Sequence, residues 1–295
     1  MIPMTHRKSL VTTAFVALLT STPACSRSPV ARTTQSDGGT TPTVVKVEEA
    51  TRSPVSEQAG DVGPATLAKL GAGVHKQTVT LRGGQQLRYT ISVPANAGDG
   101  GKTALVVSLH YGGKVTPFYG GDMLDELVGP ALRNLGAVLV APDSLGGDWS
   151  APDNEQAVVW LTQTVRDVYA IDSKRVALTG YSMGAAGTWF LAGRHADLFS
   201  AALPVSGPAG DSRVAALRMP LYVIHSAHDE IFPIARTKTF VLDLQAKGAN
   251  VQWQELRDPT HYQVADFVPA LAKAEPWLRA IWDPPHPGRP AIEAQ

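Results

Sequence analysis

The chain has 295 residues, 44% of them hydrophobic and 18% charged. That is enough to bury one large core of mixed helices and strands, and short for two independent catalytic domains. Lys+Arg and Asp+Glu balance at 26 each, so no global field draws the chain to nucleic acid or to an acidic surface.

The first 25 residues differ from the rest in kind. His6-Arg7-Lys8 forms a basic flank, Leu10 to Thr20 is a short apolar segment, and Thr22-Pro23-Ala24-Cys25 follows. This pattern predicts an export signal, too short to span a membrane. Cys25 is the only cysteine, which excludes an intramolecular disulfide. Its position resembles the lipobox of bacterial lipoproteins, although Thr22 stands where that motif usually carries Leu. The resemblance implies lipidation of Cys25 and a location in the bacterial cell envelope. The membrane would then be met only through the amino-terminal lipid. Ordinary cleavage near Ala24, with a periplasmic or secreted product, is the other reading. From Ser26 to about Gly63 the chain is rich in Ser, Thr, Pro and Gly, and lacks the apolar density that offsets ordering entropy. Residues 26–70 are therefore expected to be a flexible tether, 71–283 the folded domain, and 284–295 a Pro-rich tail.

Alternation begins near Gln77. Thr78 to Leu81 and Leu87 to Val93 read as a β-hairpin around Arg82-Gly83-Gly84-Gln85. Apolar runs at Ala104–Leu109, Ala137–Ala141, Val176–Thr179, Ala201–Val205 and Leu221–His225 fit strands buried on both faces of a parallel sheet. Val251 to Leu256 alternates and closes the set. Helical patterns separate them at Met123–Leu135, Glu155–Tyr169, Gly184–His195, Ile234–Lys247 and Val264–Trp282. Strands alternating with helices predict an α/β fold, a mainly parallel central sheet of about eight strands with helices on both faces.

Gly180-Tyr181-Ser182-Met183-Gly184 sits where a short β-prone run gives way to a small-residue helical pattern. A G-x-S-x-G turn between strand and helix exposes the serine hydroxyl on a strained bend, and its glycines let strand and helix approach. Serine is a poor nucleophile at neutral pH until a base takes its proton, and ligands of doubly wound sheets sit beyond the carboxyl ends of the strands. The loop after Leu221–His225 offers Asp229 as the acid, with Glu230 as its local rival. The loop after Val251–Leu256 offers His261 as the base; His286 lies in the Pro-rich tail. An oxyanion would be met by the backbone N–H of Met183 and by one from His110-Tyr111-Gly112-Gly113, with Tyr111 the first choice and Gly112 the second. His110 is expected to shape that loop. His225 and His228 read as loop-packing residues, and no Cys/His or Asp/Glu cluster suggests a metal or other cofactor. Asp143 and Trp149 follow the strand at Ala137–Ala141 on the catalytic side and are candidate substrate contacts. Tyr111, Phe118, Tyr119 and Trp189 are further candidates for a pocket wall, with Trp189 also readable as core.

With these residues in hand, about Gln77 to Trp282 resembles the α/β-hydrolase serine esterases, nearest to the phospholipase/carboxylesterase and polyhydroxybutyrate-depolymerase/feruloyl-esterase groups. The similarity runs through Ile171 to Val176, the Ser182 turn, Phe199 to Gly207, His225 to Pro233, and His261-Tyr262. The order Ser182, Asp229, His261 is that fold's order of nucleophile, acid and base. The resemblance implies cleavage of small or polymeric carboxylic esters through an acyl-enzyme, without a cofactor. The chain departs from the family where His-Gly of the oxyanion loop reads His110-Tyr111, and where Ala185-Ala186 follow Gly184. A peptidase or acyltransferase using the same triad, and a silent binding lipoprotein on the same scaffold, are the alternatives. So few residues separate Val205 from Leu221 that no large lid is expected, and an open pocket favours short-chain or bulky esters.

Overall fold

The computed structural model describes residues 62–64, 66–98, 103–209 and 217–284. The expected export signal, Cys25, most of the expected tether and nearly all of the expected tail lie outside the described residues. Eight strands form one sheet in the order β1-β2-β4-β3-β5-β6-β7-β8. These are β1 (Gly73–Thr80), β2 (Gln86–Val93), β3 (Leu105–Leu109), β4 (Val138–Pro142), β5 (Val176–Tyr181), β6 (Ala201–Val205), β7 (Leu221–Ser226) and β8 (Val251–Leu256). β1 and β2 pair antiparallel, β2 joins β4 antiparallel, and every later pairing is parallel.

Burial follows from that order. Every residue of β3 to β7 is buried, because helices cover both faces of the central strands. β1 and β8 lie at the edges and alternate between exposed and half-buried. β1 starts four residues before the expected Gln77, since its polar edge residues leave no apolar run to read.

The helices are α1 (Tyr119–Met123), α2 (Gly129–Leu132), α3 (Pro152–Val168), α4 (Met183–Arg194), α5 (Ile234–Ala246), α6 (Val268–Ala272) and α7 (Ala274–Trp282). The expected helix at Met123–Leu135 is instead a chain of short pieces. It begins earlier, at Tyr119, widens into a π turn at Leu124–Val128, and tightens to a 3-10 turn at Arg133–Leu135. Gly129 explains part of this. A side chain there would strike the Leu124 carbonyl oxygen, which the π turn brings close. Two apolar layers result, one on each face of the sheet. Leu109, Trp149, Trp160, Leu178 and Trp189 belong to one, and Met123, Leu127, Tyr181, Ile224 and Phe267 to the other.

Part of the stretch expected to be tether, residues 26–70, packs on the domain. Val62, Leu67 and Leu70 pack against the core, the Leu70 N–H donates to the Tyr169 hydroxyl at 3.0 Å, and the Arg82 N–H donates to the Val62 carbonyl at 2.6 Å. Three apolar side chains spaced through a polar stretch were too sparse to show as an element. Residues 206–220 link β6 to β7, and 210–216 of these lie outside the described residues.

Candidate active site

The site stands at the carboxyl ends of β5, β6, β7 and β8. β5 ends in Tyr181, and the chain then bends at Ser182, whose φ of 57° and ψ of −116° are costly for a side-chain-bearing residue. The bend is held from both sides. The Ser182 N–H donates to the Val205 carbonyl at 3.0 Å, while the Ser182 carbonyl accepts from Ala185 at 3.0 Å and Ala186 at 3.1 Å. The two glycines of the turn are steric necessities. A Cβ on Gly184 would collide with the Leu109 carbonyl oxygen, and one on Gly180 with the Gly184 carbonyl oxygen.

Three side chains from separate loops meet here. Ser182 Oγ lies 2.8 Å from His261 Nε2, and His261 Nδ1 lies 2.9 Å from Asp229 Oδ2. Both partners are almost fully buried. Burial alone would push the Asp229 carboxyl up, but hydrogen bonds from His225, His261, the Phe232 N–H and Ser206 outweigh it and hold the group well below the usual carboxylate range. A charged Asp229 selects the His261 tautomer with its proton on Nδ1, which leaves Nε2 as an acceptor facing the serine hydroxyl. Such a relay can take a proton from Ser182 and return it to a leaving group.

Residues passed over in the sequence hold this relay. Tyr181 donates its hydroxyl to the His261 carbonyl at 2.8 Å, and its ring packs against both His261 and Phe267. Burial pushes the Tyr181 phenol up, so it stays a donor. Glu230, considered as a rival acid, accepts the His261 backbone N–H at 2.9 Å. Ser206 donates to Asp229 Oδ2 at 2.8 Å from a bend of its own, with φ of 50°. Ser206 had a readable signal. It follows β6 directly, and the strand-end rule that selects Asp229 and His261 applies equally there. Tyr181 had none, because nothing local says where its hydroxyl points.

The loop after β3 lies alongside. A Cβ on Gly112 would stand 3.7 Å from Met183 Cβ, so this loop runs against the start of α4. As the first residue of α4, Met183 has a backbone N–H with no acceptor inside its helix. The Tyr111 hydroxyl donates to Glu126 at 3.1 Å, which holds the phenol; burial and this carboxylate push it up. His110 is fully buried and does shape the loop. Ser144 N–H donates to its Nε2 at 3.0 Å, which assigns the ring proton to Nδ1, 2.7 Å from the Tyr111 carbonyl. Burial lowers the proton affinity of this ring below the usual 6.5.

Asp143 and Trp149, expected as candidate substrate contacts, are placed differently. Both are buried. Asp143 accepts the Phe118 N–H at 2.7 Å and the Gly120 N–H at 2.8 Å, holding the left-handed bend that opens α1. Trp149 donates its indole N–H to the His110 carbonyl at 3.0 Å and packs edge-on against that ring. Trp149 thus braces the loop after β3, and Asp143 the bend at Phe118. Trp189 is core, edge-on to Phe240, while Phe118 lies beneath the Lys76 ammonium. The rim beside His261 is apolar and aromatic. Phe232 and Tyr262 meet its ring edge-on, and Tyr262 is 73% exposed. Among the described residues no group of His, Cys, Asp or Glu is arranged to hold a metal ion, and no helix is long and apolar enough to cross a membrane.

The sheet order and the strained serine between β5 and α4, with the acid and imidazole after β7 and β8, define an α/β-hydrolase fold. Comparison with known proteins leads to the same fold. Residues 135–272 match the dienelactone hydrolase family. The chain is 28% identical over 179 residues to Feruloyl esterase D of Neurospora crassa, an overlap of 54% of this chain and 59% of that one. It thus spans little more than half the length of that curated relative. A solved thermostable esterase superposes with a TM-score of 0.61 at 24% identity, covering 70% of this chain and 62% of the other. A ferulic acid esterase superposes with a TM-score of 0.54 at 21% identity, covering 72% of this chain and 100% of the other.

Proposed function

We propose that the protein hydrolyses carboxylic esters, with Ser182 as nucleophile, His261 as general base and then acid, and Asp229 as the orienting carboxylate. The observation that carries this is the unbroken run from Ser182 Oγ to His261 Nε2 at 2.8 Å and from Nδ1 to Asp229 at 2.9 Å. Attack of Oγ on the ester carbonyl forms a tetrahedral oxyanion, stabilised by the N–H groups of Met183 and of Tyr111 or Gly112. Collapse expels the alcohol, protonated by His261, and leaves an acyl-enzyme. Water deprotonated by His261 then releases the acid and restores the serine. The similarity to Feruloyl esterase D puts aromatic acyl esters first among substrates, and the apolar rim of Phe232 and Tyr262 suits them. Export and lipid anchoring through Cys25 belong to the same reading; growth with labelled palmitate should mark the wild-type protein and leave Cys25→Ala unmarked.

The test is turnover of p-nitrophenyl acetate and methyl ferulate by Ser182→Ala. At least about a thousandfold loss in kcat is expected, as for triad knockouts elsewhere. Wild-type turnover by that variant would remove Ser182 from the chemistry.

A further inference from the structure

Asp229 is more heavily solvated by protein than orienting His261 requires. Oδ1 accepts the N–H groups of Ile231 at 3.0 Å and Phe232 at 2.8 Å. Oδ2 faces the Ser206 hydroxyl at 2.8 Å, His261 Nδ1 at 2.9 Å and His225 Nε2 at 3.2 Å. Four hydrogen bonds and the closely approaching His225 nitrogen meet a carboxylate that offers about four lone-pair sites, and three of these groups crowd the oxygen that His261 uses. The third is the unexpected one. His225 belongs to β7, four residues before Asp229, and its side chain is 0% exposed. Its Nε2 also lies 2.8 Å from the Phe232 carbonyl. Both neighbours of that nitrogen are acceptors, which assigns the ring proton to Nε2. Nδ1 has no polar partner among the described residues. The ring is therefore tied at one end only, and that end is shared between the Phe232 carbonyl and the acid.

We propose that His225 is a positioning residue that limits the pull of Asp229 on His261; this rests on the triad reading above. Each N–H aimed at Oδ2 offsets part of the carboxylate charge. A partly offset carboxylate stabilises the imidazolium form of His261 less than a bare one would. Removing the His225 donor restores that charge, favours the imidazolium, and moves the acidic limb of kcat/KM upward. The other polar groups around this cluster are accounted for. Tyr181 from β5 donates to the His261 carbonyl, and Glu230 accepts the His261 backbone N–H. Glu255, the register partner of His225 on β8, pairs with Lys238 of α5 at 2.8 Å. The neighbouring His228 donates its backbone N–H to Ser226 Oγ at 3.1 Å. None of these donates to Oδ2.

The experiment compares His225→Phe, which keeps a planar ring without the donor, with His225→Gln, which keeps an N–H. Turnover of p-nitrophenyl acetate is followed from about pH 4 to about pH 9. The expected result is an acidic limb raised by about half a unit in His225→Phe and restored toward wild type in His225→Gln. Should His225→Phe not fold, Ser206→Ala strips the other side-chain donor from Oδ2 and is read the same way. A uniform loss at all pH values with an unmoved limb means that His225 only packs, and overturns the proposal. Ser182→Ala, run alongside, separates this failure from failure of the triad itself: full turnover there sinks the triad reading, whatever the limb does.

Discussion

At the scale of single residues, the site depends on side chains that stand behind the run from Ser182 to His261 and Asp229. Tyr181 is the clearest. Its hydroxyl fixes the His261 carbonyl from inside the core, so Tyr181→Phe leaves that buried acceptor without its partner. The expected cost is about 1–3 kcal/mol of stability, with a fall in kcat larger than any change in KM, readable by thermal melts and steady-state kinetics on one preparation. Asp143 clamps the bend that opens α1 as Tyr181 clamps the His261 backbone. Asp143→Ala orphans the N–H groups of Phe118 and Gly120, each at about 1–3 kcal/mol. A conformation as strained as Phe118 at φ of 66° should relax once that clamp is gone, and kcat/KM should drop with it. An Asp143→Ala enzyme with unchanged Tm and unchanged kcat/KM would contradict this placement.

At the scale of elements, the sheet brings the chemistry together and the helices hold it at the right depth. Phe267, in the 3-10 turn that precedes α6, is fully buried and edge-on to Tyr181. Leu87 of β2 is equally buried but belongs to the hairpin at the far edge of the sheet. Truncating either to Ala is expected to cost about 2–5 kcal/mol. Only Phe267→Ala should also lower kcat at a temperature where both variants remain folded, because only it loosens the tyrosine that holds His261. Equal kcat for the two variants would contradict the link. The same contrast marks what was legible in the sequence. Strands β3 to β7 are buried throughout and mostly apolar because both faces are covered, so they stood out as runs. Ser182, Asp229 and His261 were legible because each follows a readable strand. Edge strand β1 and the segmented helix from Tyr119 to Leu135 were not, since one has too few apolar residues and the other takes its shape from a backbone contact at Gly129. Asp143 and Trp149 follow a strand just as Asp229 does. Which of them faces the cleft and which the core is decided by neighbours far away in sequence.

At the scale of the whole molecule, two buried groups make the folded state lose stability in acid. Burial lowers the proton affinity of His110 below 6.5 in the folded chain, whereas the unfolded chain takes up that proton near pH 6.5. The unfolded state is thus favoured progressively as pH falls below about 6.5. Asp229 adds a second stage. Although burial opposes it, hydrogen bonding holds its carboxyl well below the usual range, so its contribution is present above about pH 4 and is lost as pH falls further, toward its folded value. Urea midpoints measured against pH should therefore decline in two stages. His110→Gln should flatten the first and Asp229→Asn the second; a decline unchanged in both variants would contradict the assignment. These electrostatics serve one claim, that a strained hydroxyl, a buried imidazole and a heavily solvated carboxylate act as a unit. The most direct measurement is intact-mass and peptide mapping after treatment with a fluorophosphonate, on wild type and on His261→Ala. The account predicts one adduct, on Ser182, formed rapidly in wild type and at least about a thousandfold more slowly without the imidazole. An adduct on another residue, or equally fast labelling of Ser182 in His261→Ala, would contradict it.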